Sequence, residues 1–202
     1  MTFIKFLQKR ESELRQLYPG GKRGLVITVS GLSGSGKSEV ARMLAKSLML
    51  EYHSTGGIIR DLAKETGKSI VDYCKMRGDE VDYMADKESL RLAMQGNVVL
   101  DGRLTGWAAG NLADSRIFVF CPPEVRASRV STRDATDFED ALRNLMRRDV
   151  SDRSRYMKLY NIDMLDKSIY DRIIDNSGSF QELEEKVEAI IKSVQIKASQ
   201  KS

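Results

Sequence analysis

Short runs of aliphatic and β-branched residues recur along the chain and predict five β-strands. Their hydrophobicity is nearly continuous, which is typical of strands that are buried on both faces of a parallel sheet. The first run ends in a glycine-rich loop. The five runs are Leu25–Ser30, Leu48–His53, Asn97–Asp101, Arg116–Phe120 and Tyr170–Asp175.

Helical patterns lie between and after these runs. Strands that alternate with helices predict an α/β fold: a three-layer arrangement in which helices cover both faces of a five-stranded parallel sheet. The last helical segment carries an apolar stripe at helical spacing and should close the sheet. The main helical segments are Ser38–Met49, Ile58–Thr66, Asp79–Met94, Phe138–Tyr160 and Gln181–Ala198.

The amino-terminal segment differs from the rest of the chain in its charge. Residues 3–18 predict an additional helix, which ends before the Pro19-Gly20-Gly21 break. Residues 1–24 contain six Lys or Arg and two acidic residues, whereas acids and bases balance in the remainder. We therefore interpret residues 1–24 as a basic helical extension and residues 25–202 as one domain. A neutral body does not favour a nucleic-acid partner.

Composition excludes several classes of protein. The longest stretch without Lys, Arg, Asp or Glu is the 13 residues from Gly24 to Gly36, shorter than the roughly 17 to 25 apolar residues of a membrane span. The two cysteines, Cys74 and Cys121, form no CxxC pair, which argues against a disulfide framework or a zinc site. The amino terminus lacks the pattern of a secretory signal. We expect a cytoplasmic monomer.

A phosphate-binding loop is the clearest chemical motif. The segment Gly31-Leu-Ser-Gly-Ser-Gly-Lys-Ser38 matches G-x-x-x-x-G-K-[S/T] and lies between a predicted strand and a predicted helix. Such a loop turns backbone N–H groups toward phosphate oxygens. Lys37 should reach the β- and γ-phosphates of ATP, and Ser38 should ligate Mg²⁺. The predicted ATP-binding residues of the loop are Gly31, Leu32, Ser33, Gly34, Ser35, Gly36, Lys37 and Ser38.

The acceptor of the phosphoryl group should be held by arginines. Arginine is the favoured side chain for clamping a phosphate through paired donors. Arg60 follows the second predicted strand, and Arg103 follows the third, at the sheet edge where open α/β folds bind ligands. Asp101 ends the third strand and could orient a Mg²⁺-bound water or an arginine.

A third arginine-rich segment lies between the fourth and fifth predicted strands. Arg148, Asp152 and Arg155 are spaced i, i+4, i+7, so they fall within about 60° of one another on a helix face. That face could close on bound nucleotides, or it could be an exposed ladder of ion pairs. Earlier in the segment, Arg129 and Arg133 are predicted to contact ATP.

Three further segments, together with the loop, resemble the archaeal-type cytidylate kinases of the nucleoside monophosphate kinase group. They are residues 54–63, 96–107 and 155–171, and the resemblance extends from about Leu25 to Gly178. It implies a P-loop kinase that transfers the γ-phosphate of ATP to CMP or dCMP with Mg²⁺. It also implies an acceptor-binding region at about 55–95 and a lid at about 124–165.

The resemblance also implies roles for individual residues. Lys37, Arg103, Arg148 and Arg155 would be catalytic. Thr55 would lie near the acceptor base. Arg60 and Arg103 would bind the acceptor phosphate, with Asp101 beside them. The lid residues that would contact ribose and phosphates are Arg148, Asp152 and Arg155.

Base specificity is left open by the sequence. Ser33 stands where this group often has proline, and Leu104 stands where bacterial cytidylate kinases have a base-reading aspartate. A P-loop kinase for UMP, AMP or dephospho-coenzyme A is therefore an alternative. A regulatory nucleotide-binding protein is a second alternative. The absence of an Asn-Lys-x-Asp motif counts against a GTPase.

Overall fold

Five parallel strands form the centre of the molecule in the order β2-β3-β1-β4-β5. The computed structural model describes residues 24–199 together with Ser12 and Lys22. The predicted parallel sheet is confirmed, with strand ends displaced by at most three residues. The strands are β1 Val26–Gly31, β2 Glu51–Ser54, β3 Val98–Gly102, β4 Ser115–Phe120 and β5 Arg172–Asp175.

Helices connect the strands and cover the sheet. All five of the main predicted helices are present, and a 3₁₀ turn spans Gly110–Leu112. The helix predicted at residues 3–18 lies outside the described residues, apart from Ser12. The helices in residues 24–199 are α1 Lys37–Leu48, α2 Thr55–Glu65, α3 Ile70–Arg77, α4 Glu80–Gln95, α5 Thr105–Ala109, α6 Pro123–Asp134, α7 Phe138–Tyr160 and α8 Phe180–Ser199.

Capping explains where some of these helices begin. Helix α2 begins three residues earlier than predicted, because the Ser54 side chain accepts a hydrogen bond from the Gly57 N–H at 3.0 Å. Helix α6 was not predicted, although Pro123 stands at its first position, where proline is favoured. Helices α3 and α5 were also missed, because eight and five residues carry little periodic signal.

Two apolar layers enclose the sheet. On one face, Ile27 and Val29 pack with residues of α1 and α8, and Val187 of the predicted α8 stripe is fully buried. On the other face, Val26 and Leu100 pack against α4 and α5. Burial of each such side chain contributes about 1.5 to 3 kcal/mol. No helix in residues 24–199 is long and apolar enough to cross a membrane.

The register of the sheet places several polar residues at one edge. Ser30 of β1 pairs with Gly102 of β3, and Ser54 of β2 pairs with Asp101 of β3. All strands are parallel, so their carboxyl ends meet there. A third apolar cluster, which includes Leu104 and Tyr160, joins α7 to the same edge. The phosphate loop, the end of β3 and α7 are therefore neighbours.

Candidate active site

The loop from Gly31 to Ser38 has positive φ angles at three glycines, which residues with a side chain rarely adopt. Gly34 and Gly36 have φ angles of 77° and 84°, which are strained for residues with a side chain. A Cβ on Gly36 would lie 2.2 Å from Nδ2 of Asn176. That same amide donates a hydrogen bond of 2.8 Å to the Ser35 carbonyl. The loop is thus held in shape from the end of β5.

Helix α1 begins at the end of this loop and contributes Lys37. The N–H groups of Glu39 and Val40 bond to the Gly36 carbonyl, so the positive end of the helix faces the loop. Burial lowers the pKa of Lys37 below its ordinary value, Asp101 acts in the opposite direction, and the charges of Arg103 and Arg148 lower it further. The negative charge of a bound phosphate would favour the protonated form of Lys37.

Asp101 provides the oxygen atoms that a magnesium ion requires. Its Oδ2 accepts hydrogen bonds from the Ser38 hydroxyl at 2.6 Å and from the Tyr52 hydroxyl at 2.8 Å. Its Oδ1 is buried and has no hydrogen-bond partner among the described residues. Mg²⁺ is commonly held by one or two protein oxygens, with phosphates and waters completing the octahedron. The Ser38–Asp101 pair fits that requirement.

A buried carboxylate gathers three arginines beside this pair. Asp152 has a side chain only 8% exposed, and its carboxylate lies 2.7 Å from Nε of Arg103. Arg155 and Arg148 approach it to 3.0 and 3.8 Å. An exposed ladder describes only part of this segment, because Asp152 is buried and Arg103 comes from the end of β3. The cluster carries a net positive charge and suits a phosphate.

Helix α4 is joined to α7 next to these arginines. Asp82 lies 3.4 Å from Nε of Arg155, and burial raises the pKa of Asp82, opposed by that arginine. One turn further along α4, Asp86 accepts a hydrogen bond of 2.6 Å from the Tyr160 hydroxyl. Burial raises the pKa of Asp86 to about 7. Polar contacts therefore join α4 to α7 beside the arginine cluster.

The remaining residues predicted to bind the acceptor, Thr55 and Arg60, lie on α2. The Thr55 hydroxyl donates to the Asp101 carbonyl at 3.3 Å. A Cβ on Gly102 would lie only 2.1 Å from that hydroxyl oxygen, so the end of β3 and the start of α2 touch. Arg60 is exposed, and its Nη1 is 3.6 Å from where a Cβ on Gly56 would be. Arg103 thus lies in the arginine cluster, whereas Arg60 is exposed on α2.

Arg129 and Arg133, which are predicted to contact ATP, lie on α6. Arg129 lies 3.4 Å from the Gly178 carbonyl, in the loop that follows β5. Arg133 is exposed and forms two hydrogen bonds with Asp134. Arg133 also lines a cavity of about 200 Å³ together with Ser33 of the loop and Arg148 of α7. Their contacts with ATP stay a prediction.

Several residues at this edge were not predicted from the sequence. Asn176 directly follows the fifth predicted strand, and the convergence of parallel strand ends could have identified it. Tyr52 lies inside a predicted strand, where alternation of side chains could have placed its hydroxyl near Asp101. The burial of Arg126 and its pairing with Asp149 gave no local signal, because each residue resembles an exposed charge on a helix.

The parallel sheet and the loop define a P-loop nucleotide-binding fold of the kind found in P-loop kinases. A family model described as an AAA domain matches residues 27–151. The fold resembles that of shikimate kinase from Bacteroides thetaiotaomicron, with a TM-score of 0.60 at 13% identity over 85% of this chain and 98% of that one. An uncharacterized protein from Eubacterium ventriosum has a TM-score of 0.65 at 17% identity, over the same shares of the two chains.

Sequence relatives identify the family within this class of proteins. A cytidylate kinase of Pyrococcus abyssi is 43% identical over 155 residues, which cover 76% of this chain and 85% of the relative. A cytidylate kinase of Methanocaldococcus jannaschii is 39% identical over 158 residues, covering 76% and 89%. The chain belongs to the cytidylate kinase family, and the resemblance described from its motifs is confirmed.

Proposed function

We propose that this protein transfers the γ-phosphate of ATP to CMP or dCMP, with Mg²⁺, to give CDP or dCDP. The observation that carries the proposal is the convergence of Arg103, Arg148 and Arg155 on the buried Asp152. This cluster lies at the same sheet edge as Lys37 and supplies a second anion site beside the phosphate loop. Membership of the cytidylate kinase family supports the choice of acceptor.

On the donor side, the loop from Gly31 to Ser38 would wrap the phosphates of ATP with its N–H groups. Lys37 would neutralise charge that develops on the transferred group. The Ser38 hydroxyl, and Asp101 through a water, would hold Mg²⁺, which would neutralise phosphate charge. Arg129 and Arg133 would contact ATP from α6.

On the acceptor side, Arg60 and Arg103 would bind the phosphate of the nucleoside monophosphate. A phosphate monoester has a second pKa near 6 and is largely dianionic at pH 7, so it attacks without a general base. Thr55 would lie near the base. Asp152 would accept a hydrogen bond from a ribose hydroxyl or orient the arginines, because a carboxylate would otherwise repel the phosphate.

Two insertions would move during this reaction. The acceptor-binding region at about 55–95 corresponds to α2, α3 and α4, and the lid at about 124–165 corresponds to α6, α7 and the chain that follows. Both carry side chains that approach the arginine cluster. We propose that they close on the two nucleotides and exclude water during transfer. The monomeric state and the cytoplasmic location stay predictions.

Replacement of Arg155 by alanine tests the role of the cluster. The variant should lower kcat by at least about 100-fold, which equals roughly 2.7 kcal/mol. The matched control is Arg153→Ala, because Arg153 lies on the same helix and pairs with Asp163 on the exposed side. The control should keep wild-type turnover. A kcat of Arg155→Ala within threefold of wild type would reject the cluster as the acceptor site.

Replacement of Asp152 tests its proposed ribose contact. Asp152→Asn should shrink any preference for CMP over dCMP, because the 2′-hydroxyl would lose a charged acceptor. The measurement is kcat/KM for the two acceptors at saturating ATP. A preference that is identical in wild type and variant would leave Asp152 with arginine orientation alone.

A further inference from the structure

Arg126 is a buried arginine that the proposed reaction does not use. It lies on α6, its side chain is 2% exposed, and it is the largest of the fully buried side chains in the described part of the chain. A guanidinium is always charged and loses favourable hydration when buried. Such a residue is retained at a cost unless its partners hold it firmly.

The two partners of Arg126 belong to different parts of the active site. Its Nη1 donates to the Ser33 carbonyl of the phosphate loop at 3.0 Å. Its Nη2 donates to Oδ2 of Asp149, on α7, at 2.7 Å. The remaining Nε has no hydrogen-bond partner within residues 24–199. The guanidinium therefore depends on one loop peptide and one carboxylate of α7, the long helix of the lid region, which we call the lid helix.

The contact with Ser33 fixes the orientation of a loop peptide. In a trans peptide, the carbonyl and the following N–H point in opposite directions. A Ser33 carbonyl directed at Arg126 thus turns the Gly34 N–H away from α6. Gly34 also packs closely on α6, since a Cβ there would lie 3.1 Å from Cβ of Arg126. Helix α6 therefore sets one wall of the phosphate loop.

The contact with Asp149 fixes the lid helix relative to that wall. Asp149 directly precedes Val150 and follows Arg148, so any shift of α7 along its axis moves both Asp149 and Arg148. Arg148 is near enough to Lys37 for its charge to lower the pKa of that lysine, and it pairs with Asp152 at 3.8 Å. A single buried ion pair thus connects the loop to the helix that carries two arginines of the cluster.

We infer that Arg126 and Asp149 are positioning residues that hold the phosphate loop and the lid helix in register for binding of the donor nucleotide. Neither residue needs to touch a substrate. The inference deepens the proposed function and rests on it for the identity of the acceptor. The part that concerns binding of ATP would apply to any kinase with this loop. Its effects should therefore fall on ATP rather than on the acceptor.

The test compares Asp149→Asn, Arg126→Gln and the double variant with wild type. Asp149→Asn preserves shape and removes the charge. Each single variant should weaken binding of a fluorescent ADP analogue about 10-fold and raise KM for ATP by a similar factor, with a lower kcat. The KM for CMP should change less than threefold. Because the two residues act as one unit, the double variant should bind the ADP analogue no more weakly than the single variant with the lower affinity does.

Asp163→Asn is the matched control, because it breaks another ion pair of α7, at 2.5 Å to Arg153, away from the loop. It should retain wild-type ADP affinity. Circular dichroism at the assay temperature gives the folded fraction of each variant. The inference is overturned if Asp149→Asn loses ADP affinity only in proportion to its unfolded fraction, if its affinity is unchanged, or if the single losses multiply in the double variant.

ADP binding also separates this inference from the proposed function. A wild-type protein that binds ADP but does not phosphorylate CMP would refute the proposed acceptor and leave the Arg126–Asp149 test intact. Conversely, normal CMP phosphorylation with unchanged ADP affinity in both single variants would refute the positioning pair alone.

Discussion

Replacement of Asp86 by asparagine should change how stability depends on pH. Asp86 is buried between α4 and α7 and accepts a hydrogen bond from Tyr160. Burial is the main cause that raises its pKa from 3.8 to about 7; the Tyr160 hydrogen bond and Arg155 lower it, whereas Asp82 raises it. The folded protein therefore binds a proton at Asp86 more tightly than the unfolded chain does.

The sign and size of the effect follow from that difference. Between about pH 4 and pH 7, the unfolded chain has released this proton and the folded protein retains it, so rising pH favours unfolding. A shift of about three pH units corresponds to about 4 kcal/mol. The wild-type free energy of unfolding should therefore fall by about that amount, relative to Asp86→Asn, between pH 4 and pH 8.

Urea denaturation followed by circular dichroism measures both proteins across this range. Contributions of the other titrating groups largely cancel in the difference between wild type and variant. Tyr160→Phe provides a second check: it removes a hydrogen bond that favours the ionised carboxylate, so the fall should extend to higher pH. A difference between wild type and Asp86→Asn that stays within about 1 kcal/mol from pH 4 to pH 8 would refute the reasoning.

Three further substitutions test separate parts of the site. Lys37→Ala should abolish phosphoryl transfer and leave the circular dichroism spectrum unchanged; retention of most wild-type turnover would contradict the role of the loop. Arg60→Ala and Arg103→Ala should each reduce kcat/KM for CMP by a factor that corresponds to about 2 to 4 kcal/mol. Unchanged values in both variants would exclude Arg60 and Arg103 as the residues that bind the acceptor phosphate. Gly36→Ala should weaken ADP binding or lower the thermal midpoint, since its Cβ would collide with Asn176; normal behaviour in both assays would argue against that contact.

Features encoded by neighbouring residues could be predicted from the sequence. The loop from Gly31 to Ser38 combines a local spacing with a flanking strand and helix, so its place in the fold follows from one short segment. The strands follow from apolar runs of five or six residues, and α7 from its long helical pattern. The resemblance of the motifs to cytidylate kinases added the acceptor, which the loop alone leaves open.

Features that depend on tertiary pairing could not be predicted. Arg103 and Asp152 are 49 positions apart, and only the packing of α7 against the sheet edge brings them to 2.7 Å. Asp86 gives no sign in the sequence that it is buried, because an aspartate on a helix is usually exposed. The sequence likewise gives no sign that Arg126 is buried, because its neighbours in the chain are ordinary helix residues. Burial and partner choice decide the chemistry of these groups.

Acceptor-dependent release of ADP tests the central claim most directly. The full chain is incubated with ATP and Mg²⁺ and with CMP, dCMP, UMP, AMP or dephospho-coenzyme A in turn, and ADP formation is followed in a coupled assay. The structure and the family predict the highest kcat/KM for CMP or dCMP, and its loss in Arg155→Ala. A folded, ADP-binding protein that releases no ADP with CMP or dCMP, or that prefers another acceptor, would contradict the account.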